Sequence, residues 1–235
     1  MKKIFLSLFF LLAVARLKAQ NFEFSVQANT GLSHYTGDRP SHSTNLNVYS
    51  VSGHSGYPNN DGTILSPCYG VDLQLQYTFK FNFIMGVQAG YEVISNKVAI
   101  NGVYDGAATE TAATGYVNQH NGYIDINPYL GYRFNINKVK LDILPGVDIA
   151  PGANTYNTVN VKASDGTFYN KYAPFYGGAP ALELRYRLGL AAYYKKYGIT
   201  AGYSHGKDIR NYYADGPVPS EYIEIFRLGI SYRIK

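Results

Sequence analysis

Beyond residue 20 the chain alternates. Apolar and polar side chains exchange places at every second residue over eight separate runs, the period of a β-strand whose two faces meet different surroundings. The runs are 22–34, 68–79, 83–95, 122–134, 138–150, 180–193, 197–206 and 222–234. In the second, Val71, Leu73, Leu75, Tyr77 and Phe79 alternate with Gly70, Asp72, Gln74, Gln76 and Thr78. In the third, Phe83, Met85, Val87, Ala89, Tyr91 and Val93 share one face, and Ile84, Gly86, Gln88, Gly90 and Glu92 the other. Pro128 and Pro145 fall inside such runs. Proline removes a ladder donor, so a bulge is expected at each.

The connections alternate too. Lys80-Phe81-Asn82, Asn135-Ile136-Asn137 and Tyr194-Lys195-Lys196 are tight turns. The stretches 35–66, 96–121, 151–179 and 207–221 are long, rich in Gly, Asn, Ser, Thr, Tyr and Pro, and read as loops. Short turns at one end and long loops at the other are the plan of an outer-membrane barrel, with the turns periplasmic and the loops outside. The fold class expected is therefore all-β: an eight-stranded antiparallel up-and-down transmembrane β-barrel with a polar interior and an apolar lipid-facing exterior.

The charges separate this from a soluble barrel, which fills its interior with apolar side chains. One face of the runs is Leu, Ile, Val, Phe and Tyr. The other carries Asp72, Glu92, Asp125, Asp142, Glu183, Arg185, Arg187 and Arg227, joined by Lys140, Asp148 and Arg233. Both signs are present, and buried charges are tolerable only when paired. A lumen charge network is thus expected, in which Glu92, Asp142 and Glu183 meet Arg185, Arg187 and Arg227. The glycines of that face, among them Gly86, Gly131 and Gly189, could widen a lumen or relieve crowding in a narrow one; the mixed charges favour the second.

Aromatic residues sharpen the picture. The chain has 24 Tyr and 12 Phe but no Trp. Tyr77, Phe79 and Phe83 bunch at the first tight turn, Tyr132 and Phe134 at the second, and Tyr197 with Tyr232 at the third turn and the last strand. Amphipathic rings are favoured where hydrocarbon meets headgroups, so these seven are the expected aromatic girdle.

The first residues read as an export signal. Lys2 and Lys3 precede an apolar stretch, Ile4 to Val14, too short to span a bilayer as a helix. Cleavage after Ala19 is favoured over the Ala13-Val14-Ala15 site, giving a signal peptide at 1–19 and one barrel domain at 20–235. Removing Lys2, Lys3, Arg16 and Lys18 takes the formal charge from +5 to +1, which leaves no basic stripe for nucleic acid. The single cysteine, Cys68, permits no internal disulfide.

The whole mature chain resembles the small outer-membrane β-barrel domain family of Gram-negative bacteria, of the OmpA/OmpX size. GVQAGYEV at 86–93, INPYLGYRF at 126–134, AGYSHGKDI at 201–209 and FRLGISYRI at 226–234 carry the resemblance. It implies residence in the bacterial outer membrane, among its lipids, and delivery by barrel-insertion machinery. The last strand is similar to the C-terminal signal read by that machinery, although it ends in Ile234-Lys235 rather than an aromatic residue.

No chemistry is expected. His34, His42, His54, His120 and His205 fall at or beyond the outer strand ends. Ser204 and His205 are neighbours in a strand and face opposite ways, so they cannot pair as nucleophile and base. A lipid A deacylase-like barrel uses His-x-Ser, where this chain has His205-Gly206-Lys207. His34, His42 and His54 lack metal-ligand spacing, and Asn59-Asn60-Asp61-Gly62 reads as a turn. No catalytic residue, metal or cofactor is assigned. The expected role is display of long loops for an extracellular or envelope protein partner. A narrow porin-like channel for small solutes comes second and a lipid-modifying enzyme third.

Overall fold

The structure is a computed structural model that describes residues 22–49, 55–104, 110–174, 180–208 and 220–234. The residues read from the sequence as an export signal, His54 and Lys235 lie outside these. Twelve strands follow in order: β1 (Phe22–Gly37), β2 (Ser43–Tyr49), β3 (Ser55–Pro58), β4 (Ser66–Thr78), β5 (Phe83–Tyr104), β6 (Glu110–Ile136), β7 (Val139–Ala150), β8 (Gly152–Ala163), β9 (Phe168–Pro174), β10 (Glu183–Tyr194), β11 (Tyr197–Asp208) and β12 (Glu221–Arg233).

Eight of them close a ring. β1 pairs with β4, β4 with β5, β5 with β6, β6 with β7, β7 with β10, β10 with β11, β11 with β12, and β12 returns to β1, every pairing antiparallel. Closure leaves no free sheet edge in this part of the molecule. The three tight turns each place one residue in the left-handed region, at Asn82 (φ 66°), Asn137 (φ 54°) and Lys195 (φ 56°).

Two sequence expectations are corrected. The β6–β7 ladder keeps one register from Ile126↔Ile149 to Ile136↔Val139, and Pro145 pairs with Leu188 in an unbroken β7–β10 ladder, so neither proline makes a bulge. The register shifts fall instead at Thr44/Asn45, Ile100/Gly102 and Gly122/Tyr123.

The long connections are also not simple loops. β5 runs for 22 residues and β6 for 27, far past the ring. On one side β2 pairs in parallel with the extension of β5 and carries β3; on the other β8 pairs with the extension of β6 and carries β9. The result is a six-stranded outer sheet, β3-β2-β5-β6-β8-β9, standing on the ring.

Candidate functional site: a filled lumen beneath an outer sheet

Because side chains alternate along each strand, one set points into the ring, and it fills the interior in layers. Nearest the tight turns, Arg133 is held by two acids: its Nε lies 2.6 Å from Asp142 Oδ1 and its Nη1 2.7 Å from Glu23 Oε1. Arg233 Nη2 reaches Glu23 Oε2 at 3.0 Å, and its guanidinium lies 3.9 Å from the centre of the Tyr193 ring. Lys140 is exposed at the rim and approaches Glu23 at 3.7 Å.

An amide and phenol layer follows. Gln74 Nε2 donates to Tyr129 Oη at 2.6 Å, and Tyr129 Oη donates to Gln76 Oε1 at 3.1 Å. Tyr129 stands opposite Gly86, where a Cβ would come within 2.5 Å of its ring; Tyr193 stands opposite Gly198, where a Cβ would come within 2.6 Å. These glycines make room for rings that fill the lumen. Above lies a cavity of about 20 Å³ between Gln27, Asn29, Gln88 and Asn127, space for roughly one water.

The upper charge layer is denser. Glu92 takes Arg185 Nη1 at 3.0 Å and Arg227 Nη2 at 2.8 Å. Arg187 Nη1 bridges Asp125 at 3.3 Å and Asp148 at 3.4 Å, and Arg185 Nη2 reaches Asp125 at 3.5 Å. Ser204 Oγ donates to Asp148 Oδ2 at 2.9 Å and accepts from Arg227 Nη1 at 2.6 Å. Glu183 accepts from Tyr123 Oη and Tyr35 Oη. Over these sits an apolar stopper of Tyr35, Cys68, Ile94, Tyr123, Ala150, Ile223 and Ile225.

The eight lumen residues named from the sequence therefore do not form one cluster. Asp142 is correctly inward but belongs to the lower layer with Arg133 and Arg233, not with Arg185, Arg187 or Arg227. Asp72 is buried and accepts from Asn29 Nδ2 at 2.8 Å; no ion pair of Asp72 forms among the described residues. Glu23 and Arg133 were not singled out. Their signal was available, since both occupy inward positions of the alternation; what leaves no local mark is which partner each charge meets across the ring.

Outside the ring the side chains are apolar. Val71, Leu73 and Leu75 on β4, Met85 and Val87 on β5, Leu130 on β6, Leu188 on β10, and Leu228 and Ile230 on β12 are all exposed. The girdle residues gather at the tight-turn end: Tyr77 packs edge-on to Phe79 at 4.8 Å, Phe79 lies 5.8 Å from Phe83, Tyr132 5.0 Å from Phe134, and Tyr197 5.5 Å from Tyr232. A closed sheet, polar inside and apolar outside, satisfies its backbone internally and needs lipid around it.

Within β5 and β6 the faces then trade character. Below, Met85, Val87, Tyr91, Ile124, Ile126 and Leu130 point out, and Gln88, Glu92, Asp125 and Asn127 point in. Above, on the same parity, Lys97, Asn118 and His120 lie on the outward face, while Val98, Ile100 and Val117 are buried. The β5–β6 register does not shift across this change, which falls at Val93↔Gly122 and Ile94↔Asn121. In β12 the same exchange separates outward Phe226 from outward Glu224, with Ile223 and Ile225 turned inward.

The inward face of the outer sheet is an ordinary core: Leu46, Val48, Val98, Ile100, Val103, Val117, Val159, Val161 and Tyr169. On its outward face the His120 ring stacks on Tyr156 at 4.6 Å, with Ser95 Oγ 2.8 Å from Nδ1. Burial there holds the His120 pKa below the usual imidazole range. His34 and His205 flank Glu224 at 3.8 and 3.6 Å, just above the apolar band. Ser204 points into the lumen and His205 out of it, so no nucleophile–base pair exists between them. His42 is exposed between β1 and β2. No group of three or more metal-ligating side chains forms among the described residues.

No family model and no curated protein matches the chain. Among solved structures it is similar to Ail, the attachment invasion locus protein of Yersinia pestis, in complex with the heparin analogue sucrose octasulfate (15% identity, 92% of this chain and 100% of that one, TM-score 0.40). Neisserial surface protein A follows (11% identity, 89% and 96% covered, TM-score 0.38), and then the outer membrane protein OprG from Pseudomonas aeruginosa (11% identity, 89% and 95% covered, TM-score 0.30). These neighbours are small outer-membrane β-barrel proteins. At such scores the likeness carries no weight of its own; the ring of pairings and the two kinds of surface define the class.

Proposed function

We propose that the chain is an up-and-down β-barrel of the bacterial outer membrane that carries a folded outer sheet as a binding platform, neither conducts nor catalyses, and is made with residues 1–19 as a cleaved signal. The observation that carries this reading is the exchange of faces within β5 and β6. A strand that turns its apolar side outward below one level and inward above it has passed from lipid into water. The apolar outward run of β6, from Ile124 to Phe134, rises about 3.4 Å per residue. Tilted at about 45°, it spans roughly 24 Å, against an apolar band of about 25 Å in such barrels. The layered lumen supports the absence of conduction. The outer sheet is where a protein partner from the envelope or the exterior would bind, while lipids surround the ring and insertion machinery delivers it.

The test is single-channel conductance of the refolded mature protein in a planar bilayer. Silence from a folded, heat-modifiable barrel is the expected result. A steady, reproducible conductance would replace this reading with that of a small-solute channel and would require a water path through the Arg185 layer.

A further inference from the structure

The outward positions of β1, β12, β11 and β10 align in rows by register. The row nearest the tight turns is Val26, Tyr232, Tyr197 and Tyr194; the next is Ala28, Ile230, Ile199 and Ala192. Alanines at both ends of the second row leave Ile199 and Ile230 uncovered, at 70% and 68% exposure. Between the rows runs an apolar groove of about 720 Å³, lined by Ala28, Ala192, Tyr194, Tyr197, Ile199 and Tyr232.

The groove ends at a basic rim. Lys195 and Lys196 form the turn directly below it, and Lys80 and Lys138 are exposed at the neighbouring turns. The carboxylates described at this end, Glu23 and Asp142, are turned inward and held by Arg133 and Arg233. The opposite end is mixed: Lys162 is exposed there beside Asp38, Glu110 and Asp165. The turn end therefore presents exposed lysines with no exposed carboxylate among the described residues, next to an apolar groove.

We propose that this groove binds an anionic phospholipid of the periplasmic leaflet, its acyl chain between the two rows and its phosphate against Lys195 and Lys196. The proposal rests on the outer-membrane reading. Hydrocarbon fills the Ala28 and Ala192 hollows, and Tyr194, Tyr197 and Tyr232 stand in the row nearest the turn, the end at which amphipathic rings meet headgroups. Charge complementarity decides the headgroup: a zwitterionic lipid gains much less from two lysines than one with net negative charge.

The experiment is native mass spectrometry of the mature protein reconstituted in vesicles of equal phosphatidylglycerol and phosphatidylethanolamine, then released in mild detergent. One retained lipid per barrel is expected, with phosphatidylglycerol preferred. The pair Lys195→Gln and Lys196→Gln should cut that preference roughly thirtyfold, as two lysines beside an anionic headgroup imply. Ala192→Phe should fill the groove and lower retention of both lipids. Equal retention of the two lipids by the unaltered protein, no response to either variant, or a dimer masking the groove would overturn the proposal. Fractionation and heat-modifiability on the same samples separate the two readings. A barrel absent from outer membranes defeats the outer-membrane reading, whereas a folded, correctly located barrel without lipid preference defeats only the lipid site.

Discussion

The ring and the outer sheet share β5 and β6, yet they are built on opposite rules. In the ring the buried side chains include Glu92, Asp125, Asp148, Arg185 and Arg227; in the outer sheet they are Val98, Val117, Val159 and Val161. Backbone pairing is the same in both, and the β5–β6 ladder runs through the boundary in one register. What changes is the solvent. In lipid the outside must be apolar, and polar groups can stay only inside, where they must satisfy one another. In water the hydrophobic effect restores the usual order. The ring is thus held by closure and paired charge, the outer sheet by a small apolar core.

That contrast is most severely tested at Arg185, which is fully buried and touches Glu92 and Asp125. Arg185→Ala would leave the acids of the upper layer short of a partner. Breaking a buried ion network in this way costs about 3–5 kcal/mol. Urea titration of the vesicle-embedded barrel, followed by gel mobility of the folded form, should show it. A loss below about 1 kcal/mol, the ordinary scale of a point substitution, would mean that the charges are solvated and the lumen is wet.

A paired substitution sharpens the comparison further. Leu130 and Asn118 occupy outward positions of the same parity on β6, on either side of the exchange. Leu130→Arg should destabilise the barrel by about 2–4 kcal/mol, as for a cation at the midplane on a lipid face. Asn118 is half-buried and opposite Lys97, so Asn118→Arg should cost no more than about 1 kcal/mol, the scale of like charges facing across a strand pair. Equal costs at the two sites, measured by the same titration, would remove the boundary between lipid and water drawn at Val93 and Gly122.

The exchange of faces also explains what the sequence disclosed. The eight antiparallel strands of the ring and their inward charge were legible because each needs only the period-two pattern over 10 or so residues. The runs ending at 95 and beginning at 122 stop close to the level where the apolar face changes sides. A strand whose alternation reverses phase looks, to a periodicity argument, like a strand that has ended. β8 was hidden for the same reason: its core positions Val159 and Val161 follow the soluble phase, amid Asn and Thr that resemble loop composition. β2 and β3 are short and find their place only through β5, a long-range pairing that leaves no local mark. Parity alone does not separate the two charge layers; Asp142 and Asp148 share parity and are told apart by standing five and eleven residues beyond Asn137, while their partners across the ring leave no local mark.

The smallest expected effect lies on the watery side of the boundary. His120 is half-buried between Ser95 and Tyr156, and its pKa is lowered by that burial. A histidine whose folded pKa lies below its unfolded value binds fewer protons when folded. Stability therefore holds above the unfolded pKa, near 6.5, and is lost as the pH falls through that value toward the lower folded one. Hydrogen exchange of the β6 and β8 amides around His120 and Tyr156 should accelerate, relative to the ring, between pH 7 and pH 5, beyond the intrinsic pH dependence. His120→Gln should abolish the excess while leaving the ring amides unchanged. If the ring amides respond with the outer sheet, the two regions unfold as one cooperative unit, and the different forces that hold them do not translate into separate stabilities.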